Sequence, residues 1–152
     1  MGFPREFVES LGEVKRAAAD ANVALGRLDE ERREAIRAAA EEVARGDHNE
    51  EFLLTIFQLG SGTNTNTNAN EVIANRAAEL LDAERGSRVV HSHDHVNMRQ
   101  SSNGVVPTTI HVAARTAIVT WPECERSPGL RRVRGKNRRI PIDNPKKRPH
   151  PV

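Results

Sequence analysis

The 152 residues carry 23 Lys and Arg against 21 Asp and Glu, with 37% hydrophobic and only 3% aromatic side chains. A chain this long makes one domain, and a core this poor in aromatics must be built from Leu, Val, Ile and Ala, which favours an all-α fold over aromatic-rich strands. The lone Cys124 excludes a disulfide framework and a cysteine metal site; no apolar run approaches the roughly 18 residues of a membrane span, so a cytoplasmic chain without a membrane partner is expected.

The near-neutral total hides a divide. Residues 1–115 hold 13 Lys/Arg and 18 Asp/Glu, a net of −5, whereas residues 116–152 hold 10 and 3, a net of +7. Pro122, Pro128, Pro141, Pro145, Pro149 and Pro151 also fall in the second part. The chain is therefore expected to divide into a helical region, 1–115, and a basic, proline-rich tail, 116–152.

From Pro4 to Leu25 the apolar residues Phe7, Leu11, Val14, Ala18, Ala21 and Leu25 recur at helical spacing, and Gly26 provides the stop. Asp29 is a good N-cap for a second helix, with Glu30 and Glu31 in its first turn. Ile36, Ala39, Ala40 and Val43 form its buried edge, and Gly46 ends it. The two helices are expected to form a hairpin. Phe52 to Phe57 is apolar and is expected to be a short buried anchor.

Gln58 to Glu71 follows, rich in Gly, Ser, Thr and Asn, and leads into a helix from Ala69 to about Ala83 with Asn68 as its N-cap. A glycine-bearing loop at a helix start offers free N–H groups and hydroxyls to an anion, although a plain polar turn has the same composition. His91-Ser92-His93-Asp94-His95 invites a metal reading. It is one residue too short for the His-x-His-x-Asp-His signature of zinc hydrolases, so surface or capping histidines, and no metal, are expected. Gln100-Ser101-Ser102-Asn103-Gly104 is a third polar cluster, ahead of a helix opening at Pro107. Two such loops at helix starts, with the histidine segment, suggest one polar pocket.

Gly60-Ser61-Gly62-Thr63, the run Asn68 to Ala77, His95-Val96-Asn97 and Gln100-Ser101-Ser102-Asn103, in this order, closely resemble class II fumarase of the fumarase/aspartase superfamily. The likeness runs from about Phe3 to Ala114 and covers the N-terminal helical region of that fold. It implies a lyase that hydrates fumarate reversibly to malate, without a cofactor, as part of the tricarboxylic acid cycle. Ser61, Gly62, Thr63, Ser101, Ser102 and Asn103 would bind substrate carboxylates, and Arg88, His91, Ser92, His93 and Asp94 would form a second dicarboxylate site. Fixed donors aimed at a carboxylate suit this chemistry, because the charge of the carbanion intermediate moves onto its oxygens. Gly104 stands where the family has Asp, and His91-Ser92-His93-Asp94 where it has His-Pro-Asn-Asp.

The family's serine base and the Gly-Arg-Thr-His segment that activates water have no counterpart in these residues, so the chain alone is expected to be an inactive fragment and not to form the family's homotetramer. An aspartase-like ammonia lyase is the nearest alternative, set back by Ser61 and Ser102. For the tail, a frameshift is expected: read one base later, Lys136 to Pro151 permits codons for a Glu-Phe…Lys-Asn-Gly-Arg-Thr run close to the family's. Otherwise residues 116–152 would be a disordered basic arm on a non-enzymatic helical module, binding nucleic acid in a salt-sensitive way.

Overall fold

The computed structural model describes residues 2–57 and 62–120. Four helices carry the fold: α1 (Arg5–Ala24), α2 (Glu30–Arg45), α3 (Thr63–Leu80) and α4 (Ser102–Thr120). A 3-10 turn (Asn49–Glu51) precedes α3, and a π-type turn (Ser92–Val96) lies between α3 and α4. Among the described residues there is no strand, only the isolated antiparallel bridge Gly2–Thr55. The all-α expectation holds.

The hairpin of α1 and α2 forms for the reasons legible in the chain. Asp29 caps α2 by accepting the Arg32 N–H at 2.9 Å, and Gly46 closes it at φ 90°, a left-handed conformation that glycine adopts at no steric cost. Ile36, Ala39, Ala40 and Val43 are all buried. The α1 stripe needs correction. Phe7 and Leu11 are buried, but Val14 and Ala18 are only partly so, and Ala21 and Leu25 are exposed, Leu25 to 69%. The buried face runs instead through Val8, Leu11, Gly12, Lys15, Ala19 and Asn22. Spacings of four and three fit both stripes. What selects the second is the close approach of α2 at Gly12 and the polar partners of Lys15 and Asn22 on the segment after the π-type turn.

Three further expectations change. Helix α3 begins at Thr63, not Ala69, and Asn68 lies inside it, donating through Nδ2 to the Glu51 carbonyl at 3.2 Å. Helix α4 begins at Ser102, with Pro107 inside it rather than in its opening turn. In both, short polar residues of modest helix propensity are drawn into the helix by burial of what they flank: Thr65, Asn66 and Ala69 in α3, Val105 and Val106 in α4. Phe52–Phe57 is not a buried anchor. Only Phe52 packs on the core, while Leu53 (82% exposed) and Phe57 (81% exposed) face outward, because no described element lies over them.

An ion cluster fastens α3 to α2. Arg76 grips Glu42 through Nε–Oε2 at 2.6 Å and Nη2–Oε1 at 3.1 Å, and His48 Nε2 lies 3.0 Å from the same carboxylate. The hydrogen bond from the Arg76 guanidinium, with its charge, holds the Glu42 carboxyl down from 4.5 to about 2. A depressed carboxylate stabilises the fold above its unfolded value, and that contribution is lost as pH falls through the folded value. Glu42→Gln should therefore cost about 2 kcal/mol near neutrality by urea denaturation. The gap between variant and parent should close as the pH drops from 4.5 toward about 2. An unchanged gap at acid pH would show that the cluster does not carry this stability.

Candidate functional site: two polar helix starts

The start of α3 is set by Gly62. Its φ of 81° turns the chain into the helix in a conformation that an L side chain rarely adopts, and its carbonyl accepts the Asn66 N–H at 3.0 Å. A Cβ added at Gly62 would stand 3.0 Å from both methyls of Val106. The residue that opens α3 thus lies directly against the second turn of α4. The start of α4 is organised by Ser101, whose Oγ accepts the Asn103 N–H at 3.2 Å and whose carbonyl accepts the Gly104 and Val105 N–H groups at 2.9 Å. Helix N-termini leave N–H groups without intrahelical partners and carry partial positive charge, so two of them side by side suit an anion with two charged ends.

A bond between the helices confirms the proximity. Asn66, 2% exposed, donates through Nδ2 to Ser102 Oγ at 3.1 Å and to Asn97 Oδ1 at 3.2 Å. Its Oδ1 has no partner among the described residues, and neither has Oδ1 of the buried Asn70. A buried acceptor left without a donor costs roughly 1–3 kcal/mol. Thr63 and Asn103 are exposed on their helix starts, Ser102 is half-buried, and Ser101 is committed as a cap. Ser61 lies outside the described residues. Of the expected first site, then, Gly62, Thr63, Ser101, Ser102 and Asn103 are placed on two adjoining helix starts rather than on loops.

The other expected site lies on the π-type turn and the chain leading to it. The His95 and Val96 N–H groups both reach the His91 carbonyl, at 3.0 and 3.2 Å, and the Asn97 N–H reaches Ser92 O at 2.9 Å. His91 Nδ1 accepts the Asp94 N–H at 3.1 Å, and His95 Nδ1 accepts the His91 N–H at 2.8 Å. Burial, more than the nearby Arg32 charge, pushes the His95 imidazole below its ordinary value. Ser92 Oγ donates to Glu71 on α3 at 2.6 Å. Arg88, His93 and Asp94 are exposed. Two of the three histidines therefore serve the turn's own hydrogen bonds. Among the described residues no three His, Cys, Asp or Glu side chains come together as metal ligands.

One group was missed from the chain alone. Lys15 of α1 is fully buried, and its ammonium donates to Asn97 Oδ1 at 3.1 Å and Gln100 Oε1 at 3.0 Å. Burial lowers the amine from 10.5 to about 7. The available signal was a lysine in place of an apolar residue on the inward side of α1, four residues after Leu11, but a solvated lysine on a surface helix reads the same way.

The chain belongs to the family described as Lyase, whose model matches residues 5–125. Proteins similar to it include class II fumarate hydratases. It is 57% identical over 130 residues to that of Halobacterium salinarum, covering 86% of this chain and 27% of the relative. With that of Caulobacter vibrioides it shares 55% over 117 residues, covering 76% and 25%. Among solved structures, class II fumarase from Schistosoma mansoni superposes with a TM-score of 0.74 at 45% identity, over 79% of this chain and 25% of that one. The fumarate lyase:delta crystallin of Brucella melitensis gives 0.74 at 44%, over 76% and 27%. The chain thus spans about a quarter of the length of these relatives. No helix among the described residues is long and apolar enough to cross a membrane. The tail beyond Thr120, with the expectations attached to it, lies outside the described residues.

Proposed function

We propose that this chain supplies the carboxylate-gripping part of a class II fumarate hydratase site, with fumarate and malate as its ligands. The observation that carries this is the junction of α3 and α4, where Gly62 meets Val106 and Asn66 bonds Ser102. It sets the donors of Thr63, Ser102 and Asn103 on neighbouring helix starts. One carboxylate of the diacid takes the Thr63 and Ser102 hydroxyls and the Asn103 side-chain amide, which stabilise negative charge as it develops on the aci-carboxylate. No cofactor is required. The second dicarboxylate site would use Arg88 and the π-type turn.

In the resemblance to class II fumarase the proton-abstracting serine and the water-activating histidine lie outside the matched motifs, so the role proposed for these residues is binding without turnover. In a fumarate titration followed by backbone amide NMR, Thr63, Ser102 and Asn103 should move together, and Asn103→Ala should weaken binding by roughly tenfold, the worth of one charge-assisted hydrogen bond. Fumarate consumption should stay at the buffer rate. Shifts confined to other residues would refute the binding role, and measurable hydration by the purified chain would refute the missing-base role.

A further inference from the structure

We propose that Lys15 is a positioning residue for the anion-binding helix starts: its buried ammonium holds Asn97 and Gln100 and, through Asn66, fixes where Ser102 stands. This deepens the function proposed above, and its ligand-dependent arm rests on that reading.

The connections are continuous. Lys15 Nζ donates to Asn97 Oδ1, the same oxygen that takes a hydrogen bond from Asn66, and Asn66 in turn donates to Ser102 Oγ. Lys15 also donates to Gln100 Oε1. The amide ends of both partners are turned back on the chain: Asn97 Nδ2 donates to Gln100 O at 3.1 Å, and Gln100 Nε2 to Val96 O at 2.8 Å. Helix α1, helix α3, the segment after the π-type turn and the first turn of α4 are therefore tied through one ammonium. Gln100 and Ser101 are consecutive, so fixing Gln100 fixes the cap of α4.

A purely structural filler at this position would be apolar. A buried ammonium is costly to desolvate, and among the described residues no carboxylate lies within 4.0 Å of Lys15 to offset that cost. Burial is what lowers its amine. A dianion held at the starts of α3 and α4 would favour the charged form of the amine and so offset part of that cost. Ligand and ammonium are thus coupled: each should favour the other by the same factor.

The test uses the 152-residue chain with fumarate as the probe. The Lys15 side-chain carbon next to the ammonium is followed by NMR from about pH 5 to 9, with and without fumarate. Without fumarate, the amides of Ser102 to Val105 should shift with the same midpoint as Lys15. With saturating fumarate, that midpoint should rise by about one unit, matching a roughly tenfold affinity coupling. Lys15→Met should keep its helical circular dichroism yet bind fumarate at least about tenfold more weakly.

Amides of α4 that ignore the Lys15 titration overturn the proposal, as does parental affinity in Lys15→Met. Should that variant not fold, the titration of the parent chain decides alone. If the parent binds no fumarate, the proposed function fails, and the ligand-free tracking still decides whether Lys15 positions α4.

Discussion

Replacing Gly12 with alanine is expected to destabilise the fold by about 3 kcal/mol and lower the melting temperature by roughly 10 °C. The added methyl would lie 2.7 Å from the Ala40 carbonyl oxygen, 2.9 Å from the Ala44 nitrogen and 3.1 Å from the Ala44 Cβ. Two of those contacts are backbone, so no side chain can rotate away and the helices must part. Parting them loosens the small-residue seam in which Ala39, Ala40 and Val43 are buried against α1 and α3. Thermal denaturation followed by circular dichroism checks this. A melt within about 3 °C of the parent would mean that α1 and α2 separate at little cost.

Gly62→Ala should act on the site more than on the fold. Alanine at a φ of 81° carries a penalty of about 1–2 kcal/mol, and its Cβ presses on both Val106 methyls at 3.0 Å. The valine has to yield, moving the start of α3 away from α4 by a few tenths of an ångström. Fumarate affinity is expected to fall at least about tenfold, since the donors on the two helix starts must meet one ligand together. Gly26→Ala serves as the comparison: φ is 65° there, but nothing lies within 4 Å of the added Cβ. It should cost similar backbone strain and leave fumarate binding unchanged. Equal binding losses in both variants would show that general destabilisation, not the α3–α4 junction, is responsible.

The α1–α2 hairpin could be read from the chain because its signals are local. Asp29, Gly26 and Gly46 set helix ends by their own conformational chemistry, and the Ile36 to Val43 edge has a single period. The starts of α3 and α4 could not be read in that way. Thr63 to Asn68 and Ser102 to Val106 contain residues that serve loops and helix starts equally, and only packing between two remote segments decides. Lys15 is the same case in a sharper form, since its environment is made entirely by residues far along the chain. Phe52 to Phe57 failed for the opposite reason: an apolar run states a demand for cover, not its supply. The polar clusters themselves were legible, because hydroxyl and amide side chains beside a glycine carry their chemistry whatever the backbone does.

The hydrogen bond from Lys15 to Asn97 spans 82 residues, whereas α1 and α2 follow one another within the first 45. During synthesis the helical hairpin can close as soon as it leaves the ribosome, but the lysine waits, hydrated and charged, until the polypeptide has grown past Gln100. The polar junction of α3 and α4 is therefore completed only after the α1–α2 hairpin has formed.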